Sequence, residues 1–208
     1  DLLEVQPTVF AAVPRIWEML HDGIIAQSLK LTGLRGQLLR KGLAVARAVG
    51  SGRGHFGHRL LHLALGPLVF KKVRLGLGGR LRLCVSGGGA LPRHVDETLL
   101  GLGLPLRNGY GLTETSPVAS VRLPHQTGPG HIGPPLPHTR IEARRADGTT
   151  CAPDETGVLW IQGPQVMRGY YENARRTAEV LVDGGWFNSG DLGHVDRRGN
   201  VWITGRAK

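Results

Sequence analysis

The chain has 208 residues, 40% of them apolar and 20% charged, with a formal net charge of +10. That is enough apolar material for a packed core and excludes disordered and fibrous classes; no apolar run reaches the roughly eighteen residues of a transmembrane helix, and no charged-then-apolar signal pattern opens the sequence. Cys84 and Cys151 stand far apart and outside any CxxC pair, which leaves a disulfide framework or thiolate metal site without support and fits a reducing cytoplasm.

In chain order, Thr8 to Val13 is a short β-prone run that stops at Pro14, which suits the first turn of a helix through Arg15 to Leu20. From Leu31 to Val49 the apolar residues Leu34, Leu38, Val45 and Val49 recur at helical spacing, with Arg35, Arg40, Lys41 and Arg47 mostly off that face. Ser51-Gly52-Arg53-Gly54 breaks this helix, a second covers Phe56 to Leu65, and Pro67 must end, kink or restart it. Between Gly23 and Val95 there are thirteen Lys and Arg and no Asp or Glu, so the whole excess of charge lies there. Two readings stay open for it: solvated helix faces, or a patch that meets nucleotide or coenzyme phosphates or an anionic membrane. Nucleic acid is not expected, because no aromatics interleave with the charges and no nucleic-acid-binding signature appears. His58 and His62 share a helix face as metal ligands do, yet no third ligand is apparent and the basic neighbours repel a cation.

The pattern then changes to strand, glycine turn and helix: Leu81 to Val85, Ser86-Gly87-Gly88-Gly89-Ala90, and a helix from near Pro92. A short strand from Pro105 to Asn108 leads into Gly109-Tyr110-Gly111-Leu112-Thr113-Glu114-Thr115, the alternation of an α/β layer. A soft boundary falls near Pro124, separating an α/β part (1–124) from a β-rich part (125–208). Strands are expected at Arg140 to Arg144, Gly157 to Gln162 and in a hairpin around Val195 and Asn200 to Ile203, with a turn at Asp147-Gly148 and a short helix from Thr177 to Leu181. Asp1 in place of a start methionine, and an end at Lys208 with no tail, read as cuts through a longer protein.

Three segments in order carry the chemistry: Ser86 to Pro92, Asn108 to Thr115, and Gly185-Trp186-Phe187-Asn188-Ser189-Gly190-Asp191-Leu192-Gly193. With Gly205-Arg206-Ala207-Lys208 they resemble the adenylate-forming superfamily over essentially the whole chain. Thr8 to Glu18 is similar to the Val-Pro-Arg-x-Trp-Glu element of AMP-forming long-chain acyl-CoA synthetases. The resemblance implies the large-domain fold, an α/β layer followed by a distorted-barrel subdomain. It also implies an adenine pocket lined by Gly87, Gly88, Gly89 and Ala90, where glycines let a flat purine approach the backbone. Asn108, Gly109, Tyr110 and Gly111 belong to the same nucleotide site, Tyr110 supplying the aromatic floor. By the same resemblance Thr113 meets a phosphate oxygen, Glu114 holds Mg²⁺, Asp191 accepts from the ribose diol, Arg206 contacts ribose or phosphate, and Lys208 is a hinge. Val13, Trp17 and the apolar helix faces border an acyl tunnel, or simply pack the core.

The reaction so implied is activation of a long-chain fatty acid by ATP to an acyl-adenylate, then transfer to coenzyme A. Two rivals remain: transfer to a carrier-protein thiol, and a non-catalytic relative acting as a basic, membrane-associated module. A Gly-x-Ser-x-Gly elbow, a Walker A loop and a His-Glu-x-x-His helix are absent. The superfamily's upstream phosphate loop and C-terminal lysine-bearing domain lie outside this sequence, so the chain alone is expected to be inactive and to bind nucleotide weakly.

Overall fold

A computed structural model describes residues 2–123, 128–182 and 184–207. The chain divides into two compact units, the described residues of 1–107 and 124–130 forming the first and those of 108–123 and 131–208 the second. The compositional boundary at Pro124 falls outside the described residues.

The first unit contains α1 (Leu2–Val5), β1 (Val9–Ala12), α2 (Pro14–Lys30), α3 (Gly33–Gly50), α4 (Phe56–Leu65), a π-helical turn (Gly66–Phe70), α5 (Lys71–Gly76), β2 (Leu83–Ser86) and α6 (Arg93–Gly101). β1 and β2 pair in parallel, Val9 opposite Leu83 and Ala12 opposite Ser86, so the intervening helices form one long crossover. Pro14 opens α2, where a missing N–H costs nothing. Trp17, one turn on, has no exposure; its indole meets Phe10 edge to face at 5.3 Å and its Nε1 donates to Ala12 O. Pro67 neither ends nor restarts the helix. It lies at the start of the π turn, and Lys71 N reaches back to Gly66 O before α5 continues.

The core of this unit gathers Trp17, Leu43, Ala46, Phe70, Leu99 and Leu102 among others. Cys84 lies within it, and burial pushes its thiol up to about 11, which keeps it inert at neutral pH. β2 begins two residues later than alternation suggests, because Arg82 N and Leu83 N both donate to Thr8 O. A cavity of about 660 Å³ opens between α2, α3 and α5, with Met19, Ile24, Leu38, Val69 and Val73 on its walls and Arg35 and Lys72 among its lining. Neither Val13 nor Trp17 lines it.

β3 (Leu106–Tyr110) carries the chain from the first unit into the second. The second unit continues with a 3₁₀ turn (Thr113–Thr115), β4 (Ser120–Val121), β5 (Arg140–Arg144), β6 (Gly157–Gln162), α7 (Ala174–Val180), β7 (Leu181–Val182), β8 (Trp186–Val195) and β9 (Val201–Arg206). The last five strands form an antiparallel sheet ordered β5-β6-β8-β7, with β9 also on β8. Strict alternation puts Ile141, Leu159, Ile161 and Phe187 on the core face. On the other face the Arg144 guanidinium lies 4.8 Å from the Trp160 ring and 4.5 Å from the Trp186 ring. α7 starts three residues earlier than its apolar pattern predicts, because the Asn173 side chain accepts from Arg176 N and caps it. The mixed α/β class expected from the sequence holds.

Candidate active site

Tyr110 ends β3, where it pairs with Ser120 of β4, and its ring belongs to the core of the second unit. The turn that follows is narrow: a Cβ at Gly111 would collide with the Pro117 carbonyl, and Ser116 takes a left-handed φ of 51°. Thr115 is fully buried and closes the turn on itself, its Oγ1 accepting from Leu112 N at 2.9 Å and donating to Leu112 O at 3.0 Å. That closure leaves Thr113 exposed and Glu114 half-buried at the tip.

Asp191, expected just ahead of a β run, lies inside β8, directly opposite Arg206 of β9. Its carboxylate accepts from the Tyr110 hydroxyl at 2.8 Å on Oδ2 and stands 3.5 Å from Arg206 Nε on Oδ1. Residues 81 and 15 positions away in sequence therefore converge on one carboxylate. The arginine is 72% exposed, so the pair contributes little to stability and leaves most of the guanidinium facing water. The oxygens of Asp191 are oriented before any ligand arrives, and a carboxylate has about four acceptor sites, enough for Tyr110 and a diol together.

Burial pushes the Tyr110 hydroxyl well above the ordinary value of 10; Asp191 adds to the rise, and Ser189 opposes it. The folded value is raised, so this group's stabilising contribution is complete below pH 10 and is lost as pH climbs beyond it, because the unfolded chain gives up its phenolic proton first. Alkaline denaturation followed by circular dichroism is expected to show a falling stability above pH 10, and Tyr110→Phe should make that limb less steep. An unchanged slope would mean that Tyr110 is not held protonated by the fold.

Glu114 has a partner that sequence reasoning missed. Tyr170 donates its hydroxyl to Glu114 Oε1 at 2.8 Å, while Met167 N donates to Glu114 O at 2.8 Å. Tyr170 is set by its own backbone, its N donating to Thr177 Oγ1 of α7 next to Gly169, whose φ is +151°. Burial raises the Tyr170 pKa first, and the bond to Glu114 raises it further. Nothing in Gly169-Tyr170-Tyr171 distinguishes the two tyrosines; only in the structure is Tyr171 fully outside, at 91% exposure.

Among the described residues no three His, Cys, Asp or Glu side chains gather into a metal-binding group, His58 and His62 included. A Mg²⁺ ion at Glu114 would take one protein carboxylate and draw its other ligands from phosphate and water, which is its usual habit. The residues present fit that ion.

Asn108 is buried on β3, and its carbonyl accepts from Arg122 N. Gly109 sits opposite Val121. In the first unit, Gly87 to Ala90 form a mostly exposed turn after β2, anchored by Gly87 N on Ala12 O at 3.4 Å. Gly88 takes φ +78°, and a Cβ there would come within 3.9 Å of Val13 Cγ1, which places Val13 beside the turn. Lys208 lies outside the described residues.

The family described as AMP-binding enzyme matches residues 1–171. Long chain acyl-CoA synthetase 4 of Arabidopsis thaliana is 34% identical over 217 residues, covering 100% of this chain and 32% of that protein. The long-chain-fatty-acid–[acyl-carrier-protein] ligase AEE15, chloroplastic, of the same plant is 40% identical over 136 residues, 65% of this chain and 19% of that protein. Among solved structures, ATP-bound MatB from Rhodopseudomonas palustris superposes with a TM-score of 0.59 at 29% identity, covering 69% of this chain and 29% of that one. The chain thus spans about a third or less of the length of these relatives. The family resemblance drawn from the sequence is borne out, the matched stretch taking in the glycine turn and the Tyr-Gly-Leu-Thr-Glu-Thr segment, and the chain belongs to the AMP-binding enzyme family.

Proposed function

We propose that the chain is part of an AMP-forming ligase that activates a long-chain fatty acid and passes it to coenzyme A. The observation that carries this reading is the convergence of Tyr110, Arg206 and Asp191, on the same unit as the Glu114 turn. In the first half-reaction a fatty carboxylate oxygen bonds to the α-phosphorus of ATP, the bridge to the β-phosphate breaks, and pyrophosphate leaves. In the second, the coenzyme A sulfur bonds to the acyl carbon, the C–O bond to AMP breaks, and the thiol proton is released. Within the second unit the nucleotide would be held by Asn108, Gly109, Tyr110, Gly111, Thr113, Asp191 and Arg206; in the first unit the open glycine turn from Gly87 to Ala90 has the backbone access that an adenine edge needs. Asp191 orients the ribose, Thr113 donates to a phosphate oxygen, and Arg206 offsets negative charge on phosphate. Mg²⁺ at Glu114 would supply charge neutralisation on the phosphates. No side-chain nucleophile is required; positioning and electrostatics carry the rate.

Val13, which is exposed, stands for the acyl-binding side and Lys208 for a hinge, while Trp17 takes the core-packing role. The same proposal sets the α/β part (1–124) and β-rich part (125–208) as pieces of one large domain, in a cytoplasmic protein. Peripheral contact with an anionic membrane is supported by the acid-free stretch from Gly23 to Val95. A carrier-protein thiol as acceptor is the second reading, favoured by the 40% identity to the carrier-protein ligase.

Calorimetric titration with AMP and with a long-chain acyl-sulfamoyl adenosine is the test. The acyl compound is expected to bind more tightly than AMP, and Glu114→Gln to remove the Mg²⁺ dependence of ATP binding while leaving AMP binding intact. Equal affinity for the two ligands would sink the fatty-acid part, and Mg²⁺ dependence that survives in the variant would sink the role of Glu114.

A further inference from the structure

Helix α4 is apolar on two opposite sides. Leu61 and Leu65 pack into the core of the first unit, and His62 Nε2 sits 2.6 Å from Gly101 O, which fixes the helix on that face. The opposite face carries Phe56, Leu60 and Leu63, which are 81%, 60% and 73% exposed. At 3.6 residues per turn these three fall within roughly 60° of one another, a continuous stripe and not scattered surface residues. An amphipathic helix in water has one apolar side; a second one marks a surface meant to be covered.

The charge around the stripe identifies the covering material. Arg59 is exposed on the same helix and Arg53 is exposed three residues ahead of it, within a stretch from Gly23 to Val95 that contains no acidic residue. A protein partner would have to be both apolar and strongly acidic, whereas an anionic bilayer offers both at once: headgroups for the arginines and hydrocarbon for phenylalanine and leucine. From this geometry we infer that α4 is the membrane-docking element, inserting Phe56, Leu60 and Leu63 between anionic headgroups with Arg53 and Arg59 at the phosphate level. This rests on the membrane-contact part of the proposed function and is independent of the nucleotide site.

The test is sedimentation of the full chain with phosphatidylcholine vesicles, with and without phosphatidylglycerol. Wild-type protein should partition to the anionic vesicles only. The triple variant Phe56→Ser/Leu60→Ser/Leu63→Ser, whose substitutions are all on exposed positions, should bind roughly tenfold or more weakly with an unchanged circular dichroism spectrum. Arg53→Gln/Arg59→Gln should lessen the preference for phosphatidylglycerol, and Phe56→Trp should become quenchable by brominated lipid. If the triple variant sediments like wild type, α4 is not the docking element while the membrane reading survives. If wild type binds no vesicle, both fall. If sedimentation equilibrium shows a dimer that the triple variant dissolves, a second copy covers the stripe and the inference is overturned.

Discussion

Gly101→Ala is expected to destabilise the first unit by roughly 2–4 kcal/mol, read as a lowered urea midpoint. α3 and α6 meet backbone to backbone: a Cβ on Gly101 would collide with the Ala46 carbonyl oxygen, and one on Gly50 with the Glu97 carbonyl oxygen. The two contacts are reciprocal, each helix offering a glycine to the other's carbonyl. A methyl group at either position cannot rotate out of the way, so the helices must move apart and loosen the packing around Ala46 and Leu99, which have no exposure. Gly50→Ala should have a similar effect, and the double variant should cost less than the sum of the two, since one separation relieves both collisions. Gly23→Ala is the control. It lies inside α2 with nothing within 4 Å of an added Cβ, so it should stabilise by about 0.5–1 kcal/mol through helix propensity and chain entropy. A wild-type midpoint for Gly101→Ala would show that the close approach is not required.

Asp191→Ala is expected to weaken AMP binding by roughly a hundredfold, measured by ligand-observed NMR, which suits weak complexes. Two hydrogen bonds from a ribose diol to a carboxylate, at about 1.5 kcal/mol each, amount to about 3 kcal/mol, and alanine removes both. Tyr110→Phe keeps the ring and loses only the hydroxyl that orients Asp191, so its effect should be smaller, about 1 kcal/mol or some fivefold. Arg206→Ala should act mainly on phosphate-bearing ligands and spare adenosine, because its guanidinium is open to solvent. If Asp191→Ala binds AMP as wild type does, the carboxylate serves only to satisfy Tyr110, and the ribose role is withdrawn.

The sequence by itself determined the elements whose cause is local. Helical period made α3 and α4 legible, proline placed the start of α2, alternation placed β5 and β6, and the order of three short motifs pointed to the family. The start of β2 was less legible because a distant group intervenes, Thr8 O holding Arg82 N and Leu83 N; the start of α7 was set locally by the Asn173 cap, which its apolar pattern does not show.

Only the tertiary structure decided which residues meet. It joined Tyr110 to Asp191 across 81 positions and Glu114 to Tyr170 across 56, placed Trp17 in the core with no exposure, set two glycines of separate helices against each other's carbonyls, and left one side of α4 bare. The physical reason is the range of the interactions. Backbone period, capping and turn geometry act within a few residues and are written in neighbouring letters, whereas a hydrogen bond between distant side chains or a backbone close approach exists only once packing has brought the segments together.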